Sequence, residues 1–306
     1  MMDEIPQYLI EFMDVNQYKL ENILQYNQRK YVFVLKVIKN NQKFILKAFD
    51  KKRTPMVIQN KLRVEHTFYQ KNMNIEVIPN LVDLKDNIMI LEYIESISIR
   101  ENLLNKKNIN IVENLLYSVD VFQKALVNHE STQKESFENV HKYINSLANS
   151  HPIQAKNIYI DRVDIVLNKI ITKILKRKLN TVLVKFNSVN LTKNFSHMDF
   201  HYNNILIDKK LKIKFIDFEN IEYKGYFEFD ILFLIVLIEV YIYKGSCEYK
   251  FLECYKSEFF KRNRILEEIY NLYTIAISVN KKFYIGSEKK SLNKLEKIQL
   301  GFSLIK

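Results

Sequence analysis

The chain has 306 residues, with 47 Lys and Arg against 35 Asp and Glu, a net charge of +12 and a sequence pI of about 9.3. Lysine outnumbers arginine 39 to 8 and is scattered over predicted helix faces, which reads as solvated surface and not as the footprint of a nucleic-acid polymer or a membrane surface. The only cysteines, Cys247 and Cys254, fit neither a disulfide framework nor the usual zinc spacings, and the six histidines form no metal-ligand cluster. At this length the chain can bury a large core, as two lobes sharing a cleft would.

Taken in chain order, the opening residues include Asp3, Glu4 and Pro6 and form no charged-then-apolar leader, so the expectation is a cytoplasmic protein. Residues 31–38 (YVFVLKVI) and 43–49 (KFILKAF) read as a hairpin turning at Asn40-Asn41. In the second strand Lys47 shares a face with Ile45 and Phe49, where an unpaired ammonium would be costly. Thr54-Pro55 reads as the cap and first position of a helix whose apolar stripe is Ile58, Leu62, Phe68 and Tyr69. Glu65 falls on that same stripe. Each charge alone is compatible with snorkelling at a rim; together, inward-facing on consecutive elements, they suggest one ion pair. Asn80–Leu84 and Ile88–Tyr93 then read as another strand pair.

The densest chemistry lies in the stretch HMDFHYNNILIDKKLKIKFIDFE, residues 197–219. His197, Asp199 and Asn204 stand as H-x-D-x-x-x-x-N, and Asp217 follows at the end of an apolar strand. Between them, Ile205–Asp208 and Leu211–Ile216 read as two short strands about Lys209-Lys210. Such a hairpin brings its ends together, so Asn204 and Asp217 can supply a carboxamide and a carboxylate to magnesium, which prefers a few hard oxygens plus substrate phosphates. Asp199 is then free to orient a hydroxyl and accept its proton. The plainer alternative is that an Asp/Asn-rich turn is only turn chemistry. Farther on, Asp230 opens the apolar run DILFLIVLIEVYIY, which is shorter than the ~20 residues a membrane span needs and is interrupted by Glu239; it reads as a buried helix, with no membrane span.

The pattern of His197, Asp199, Asn204 and Asp217 resembles the catalytic and metal-binding loops of protein-kinase-like enzymes, most closely the aminoglycoside phosphotransferase and choline kinase group. That resemblance implies an α+β, bilobal protein-kinase-like fold: a small β-rich amino-terminal lobe over 1–94, which binds nucleotide, and a larger, mainly α-helical lobe over 95–306 with the catalytic hairpin and acceptor site. It implies Asp199 as catalytic base, His197 as a brace of its loop, and Asn204 and Asp217 as holders of Mg2+. Lys47 and Glu65 would be the strand lysine and helix glutamate that position phosphates. The segment MILEYIE resembles the hinge between lobes, where the backbones of Glu92 and Ile94 would meet a purine of ATP or GTP. Asp230 resembles the aspartate that steadies the catalytic loop through backbone hydrogen bonds. His201 fits the H-x-D-x-H form of small-molecule members.

The sequence also departs from that pattern. Glu219 stands where protein kinases carry glycine, and Met198 where this group often has glycine. The only glycines are Gly225, Gly245, Gly286 and Gly301, so the loop expected over the phosphates, Gln25–Lys30, contains none. Asp230 follows Asp217 by only thirteen positions, too few for a peptide-docking segment. The expected activity is therefore transfer of a γ-phosphoryl group to a hydroxyl of a small molecule: a sugar, amino alcohol, glycan precursor or antibiotic. Residues 130–195 hold eleven Lys or Arg against five acidic residues, which favours a neutral or anionic acceptor over a polycationic one. The competing expectation is a catalytically weak, kinase-shaped binding or structural protein of the spore-coat type.

Overall fold

The computed structural model describes residues 5–97, 110–126, 177–178, 181, 193–197, 200, 202–241, 247–262, 264–271, 283–285 and 288–290. The chain divides into two compact units, one made of Met1–Ser98 with Asn203–Ile221, the other of Ile99–Tyr202 with Glu222–Lys306.

The first unit is built on an antiparallel sheet of order β1-β2-β3-β5-β4, formed by β1 (Lys19–Asn27), β2 (Val32–Lys39), β3 (Gln42–Phe49), β4 (Leu81–Lys85) and β5 (Ile88–Glu92). β2 and β3 join through Asn40 and Asn41, both at positive φ (49° and 59°), the backbone that a two-residue hairpin turn requires and that asparagine tolerates. Alternation along the strands gives the sheet two different faces. Phe33, Leu35, Val37, Leu46, Ala48, Ile88 and Ile90 bury one of them in a single cluster with Leu9, Phe12 and Met13 of helix α1 (Gln7–Val15). Val34, Lys36, Ile45, Lys47, Met89 and Leu91 occupy the opposite face by register.

Helix α2 (Met56–Lys71) buries Leu62, Glu65, His66, Phe68 and Tyr69. Its start differs from the sequence expectation. Pro55, with φ −56° and ψ 140°, is the N-cap and not the first helical residue, and the Thr54 hydroxyl caps nothing: it donates to the Tyr31 carbonyl at 3.2 Å. Gln59 instead ties the first turn back, its amide donating to the carbonyls of Thr54 (2.8 Å) and Lys51 (2.9 Å). The expected phosphate loop is also shorter at its amino-terminal side. β1 continues through Gln25, Tyr26 and Asn27 by pairing with Val34, Phe33 and Val32, which leaves the turn to residues 28–31.

The same unit takes in the hairpin β8 (Ile205–Asp208) and β9 (Ile213–Phe215), flanked by the short β6 (Ser96–Ile97) in the order β6-β8-β9. β9 is shorter than the expected strand over Leu211–Ile216 because Leu211 lies at φ 62°. Asp208 makes that turn: its carboxylate accepts the N–H groups of Lys210 and Lys212 at 2.8 and 2.9 Å.

In the second unit, helix α3 (Asn110–Leu126) buries Ile111, Leu115, Val119, Phe122 and Leu126 at helical spacing. β7 (Lys193–Ser196) pairs antiparallel with β10 (Glu222–Tyr226). Helix α4 (Phe227–Tyr241) starts at Phe227, three residues before Asp230, and buries Leu232, Leu234, Ile235, Val236 and Ile238, as expected of a helix inside a protein core. No helix among the described residues is long and apolar enough to cross a membrane. α5 (Cys247–Arg262) carries both cysteines, free and exposed. β11 (Phe283–Ile285) and β12 (Glu288–Lys290) form a small hairpin.

Burial has a titration consequence at His66, which is 5% exposed with its ring 6.0 Å from Phe49. Desolvation first, then the charges of Lys47 and Arg63, push its imidazole down from 6.5 to about 4. A depressed imidazole contributes stability that is present above 6.5 and is lost as pH falls through about 4. Urea midpoints measured from pH 7 to pH 4 should therefore fall less steeply in His66→Gln than in the parent; parallel slopes would remove His66 from the acid response.

Candidate active site

The centre of the first unit is a charge cluster assembled from three elements far apart in sequence. Lys47 sits on β3 between Val34 and Met89 of the neighbouring strands, on the face away from α1. Its Nζ lies 2.6 Å from Glu65 Oε2 of α2 and 2.8 Å from Asp217 Oδ1 at the end of the β8–β9 hairpin. Glu65 is 1% exposed. Its other oxygen accepts the backbone N–H of Phe218 at 3.2 Å, so one carboxylate holds both the lysine and the chain beside Asp217.

Asp217 itself is strained and held. It lies in the left-handed region, φ 68° and ψ 63°, a conformation that costs a non-glycine residue about 1–2 kcal/mol and that aspartate adopts more readily than most. The next residue offsets that cost. Phe218 is fully buried, with its ring 4.1 Å from Phe68 and edge-on to Tyr69 at 5.4 Å, and burial of such a side chain contributes about 1.5–3 kcal/mol. Beyond it Lys61 of α2 donates to the Asn220 side chain at 2.6 Å. Asn204 is 4% exposed, and its carbonyl accepts the N–H of Ile216 at 3.0 Å, which closes the hairpin next to Asp217.

The electrostatics follow from burial. Desolvation pushes the Lys47 ammonium down, but the carboxylates of Glu65 and Asp217 outweigh it and hold the group above its ordinary value. Glu65 is pushed up to about 7, mainly by burial, with Lys47 pulling it back and Asp217 opposing. Lys47 carries three donors, two of them engaged by carboxylates, so a third can meet an anion. Among the described residues no group of three or more His, Cys, Asp or Glu forms a self-sufficient metal cage. A carboxamide with one carboxylate does suit a magnesium ion that takes its other ligands from phosphates and water.

In the hinge-like segment, the Glu92 N–H is committed to the Asn80 carbonyl at 3.0 Å, which leaves its carbonyl as the group it can offer a base. Ile94 has no backbone hydrogen bond among the described residues.

The second unit holds the 196–197 segment separately. Asp230, fully buried near the start of α4, accepts the His197 N–H at 2.7 Å and the Ser196 hydroxyl at 3.0 Å through one oxygen. His197, also fully buried, stacks on Phe200 at 4.5 Å. Ser196 was not legible as a site residue, since a serine before a histidine carries no spacing signal. Met198, Asp199 and His201 lie outside the described residues.

No family model matches the sequence, and no curated protein matches it. Solved structures match over almost the whole chain. The aminoglycoside phosphotransferase APH(4)-Ia is 13% identical, covering 99% of this chain and 94% of its own with a TM-score of 0.54. This is the aminoglycoside phosphotransferase fold. An ADP-bound aminoglycoside phosphotransferase, APH(2'')-Ib, has the same fold at 16% identity, with 99% and 97% coverage and a TM-score of 0.54. So does an ethanolamine kinase from Plasmodium vivax, at 14% identity, 95% and 82% coverage and a TM-score of 0.50. The α+β, kinase-like architecture expected from residues 197–219 is thus the architecture of the chain.

The balance around Lys47 can be tested without any ligand. Lys47→Met leaves Glu65 buried beside Asp217 without a counter-charge, and breaking a buried pair costs about 3–5 kcal/mol. With the lysine gone, the Glu65 carboxyl sits above about 7 in the folded state against 4.5 when free, so acidification stabilises the fold. The variant should be strongly destabilised at pH 8 and recover much of that loss at pH 5.5, read by denaturant melts. Equal losses at both pH values would contradict this charge balance.

Proposed function

We propose that the protein is a small-molecule kinase that transfers the γ-phosphoryl group of ATP, or GTP, to a hydroxyl of a sugar, amino alcohol, glycan precursor or antibiotic. The observation that carries this reading is the Lys47–Glu65–Asp217 cluster, with Asn204 fastened at the base of the same hairpin. The fold adds support: neighbours that share it are named as phosphotransferases and a kinase, one of them ADP-bound, which puts ATP ahead of GTP as donor. We further propose that it works in the cytoplasm, on a neutral or anionic acceptor.

In this mechanism Lys47, steadied by Glu65, holds phosphate oxygens with its remaining donor. The Glu92 carbonyl and the Ile94 backbone meet the base. Asn204 and Asp217 would hold magnesium, which would supply positive charge to the phosphates. The acceptor hydroxyl gives its proton to Asp199 as its oxygen bonds to the γ-phosphorus. The bond from that phosphorus to the bridging oxygen breaks, and the nucleoside diphosphate leaves. Asp230 and His197 keep the Asp199 loop in place through the contacts of their own unit. The turn at residues 28–31 has no glycine, and its exposed Arg29 and Lys30 offer charge in place of close backbone approach.

Two measurements test this. ADP with Mg2+ should raise the melting temperature of the parent, and Asp217→Asn or Asn204→Ala should reduce the magnesium-dependent part of that shift without unfolding the protein; unchanged shifts in both variants would refute the metal assignment. Once a screen of sugars, amino alcohols and aminoglycosides yields an acceptor, Asp199→Asn should bind nucleotide nearly as well as the parent. Its turnover should drop by at least two orders of magnitude, since general-base catalysis is worth roughly 10²–10⁴-fold. A variant retaining most of the parent's rate would end the base assignment.

A further inference from the structure

Lys214 lies in β9 between the buried Ile213 and Phe215. It is half-buried and paired. Its Nζ lies 3.0 Å from Glu92 Oε1 and donates to the Ile78 carbonyl, also at 3.0 Å, and its side chain is 16% exposed. The second oxygen of Glu92 accepts the Asn80 amide at 2.9 Å, and the Glu92 N–H donates to the Asn80 carbonyl at 3.0 Å. One residue further along β9, the Phe215 N–H donates to the Val77 carbonyl at 2.8 Å. The Ile216 N–H then reaches the Asn204 carbonyl at 3.0 Å, immediately before Asp217.

These contacts form one continuous brace. It begins at the end of β5, passes through residues 77–80 and Lys214, and ends at the two residues proposed to hold the metal. We infer that Lys214 is a positioning residue that couples the base-binding end of β5 to the Asn204–Asp217 metal pair, so that nucleotide and magnesium reinforce each other through it. This inference rests on the function proposed above.

The physical reason is register. Asp217 lies three residues after Lys214 and two beyond the end of β9, and its carboxylate is aimed by how β9 is pinned. β9 is paired with β8 and bonded through the Phe215 N–H to the Val77 carbonyl, and the ammonium of Lys214 adds the only side-chain link among the described residues from β9 to Glu92. A paired, half-buried lysine of this kind holds two segments at a fixed separation, whereas an exposed pair contributes little. The neighbouring Lys212 is such an exposed case: it is 61% exposed and 3.8 Å from Glu76.

Calorimetric titration of ADP with and without Mg2+ tests the brace in the full chain. The quantity read is the factor by which magnesium tightens ADP binding, measured in the parent, Lys214→Met, Glu92→Gln, their double variant and Lys212→Met as a surface control. Each single variant at the brace should lose roughly tenfold of that factor, the double variant should lose no more than either single, and the control should keep it, as expected when two residues act through one contact. A folded Lys214→Met with the parent's magnesium factor, or additive losses in the double variant, would overturn the inference while leaving the kinase reading intact. If Lys214→Met does not fold, Glu92→Gln alone reads the same coupling, and a parent-like factor there overturns it equally. A parent whose ADP binding does not respond to magnesium overturns the function proposed above, and the inference with it.

Discussion

The first unit depends on how one buried ammonium is neutralised. Lys47 is placed by strand alternation on the sheet face that α1 does not cover, and a lysine there is tolerable only with carboxylate partners. It has two, one from α2 and one from the end of the β8–β9 hairpin, so the pair of carboxylates exceeds the single positive charge. Burial is the main cause that raises the Glu65 carboxyl, with Asp217 adding to it against the pull of Lys47. The excess of negative charge is what suits a divalent cation paired with phosphates, the chemistry proposed for the site.

The hairpin is the element through which the cluster acquires its geometry. Its two ends meet because Ile205 lies opposite Phe215 and Ile216 bonds back to Asn204. Asp217 then takes a left-handed backbone that the burial of Phe218 against α2 offsets. The strain and the packing are consecutive in sequence, and this keeps the aspartate in one conformation. The second unit uses the same logic with different groups: a buried Asp230 collects a backbone N–H and a hydroxyl from 196–197, and aromatic packing from Phe122 and Phe200 surrounds His197. A separate, partly buried network in that unit, in which Lys256 bridges Glu239 and the exposed Glu253 beneath Tyr270, ties α4 to α5.

Much of this was legible because local chemistry speaks for itself. Alternation identified β2, β3 and β5, the Asn40-Asn41 pair marked its hairpin, and an inward lysine and an inward glutamate on consecutive elements announced the Lys47–Glu65 pair. The details that failed were of a kind that sequence patterns do not carry. Thr54-Pro55 has the composition of a helix start, but the Thr54 hydroxyl found a better acceptor in Tyr31, more than twenty residues away. The turn before β2 narrowed because β1 continued to pair through Asn27, and β9 shortened because Leu211 took a left-handed backbone.

The sequence by itself determined the periodicities, the turns and the order H-x-D-x-x-x-x-N with its distant aspartate, because these rest on interactions between residues near one another in the chain. Only the tertiary structure decided that Asp217 joins Lys47 and Glu65 across 170 residues of chain, that Asp230 holds the His197 backbone, and that Lys214 reaches Glu92. Those contacts depend on how α2, the sheet and the hairpin pack, and packing is set by the sum of many buried surfaces that no single motif records.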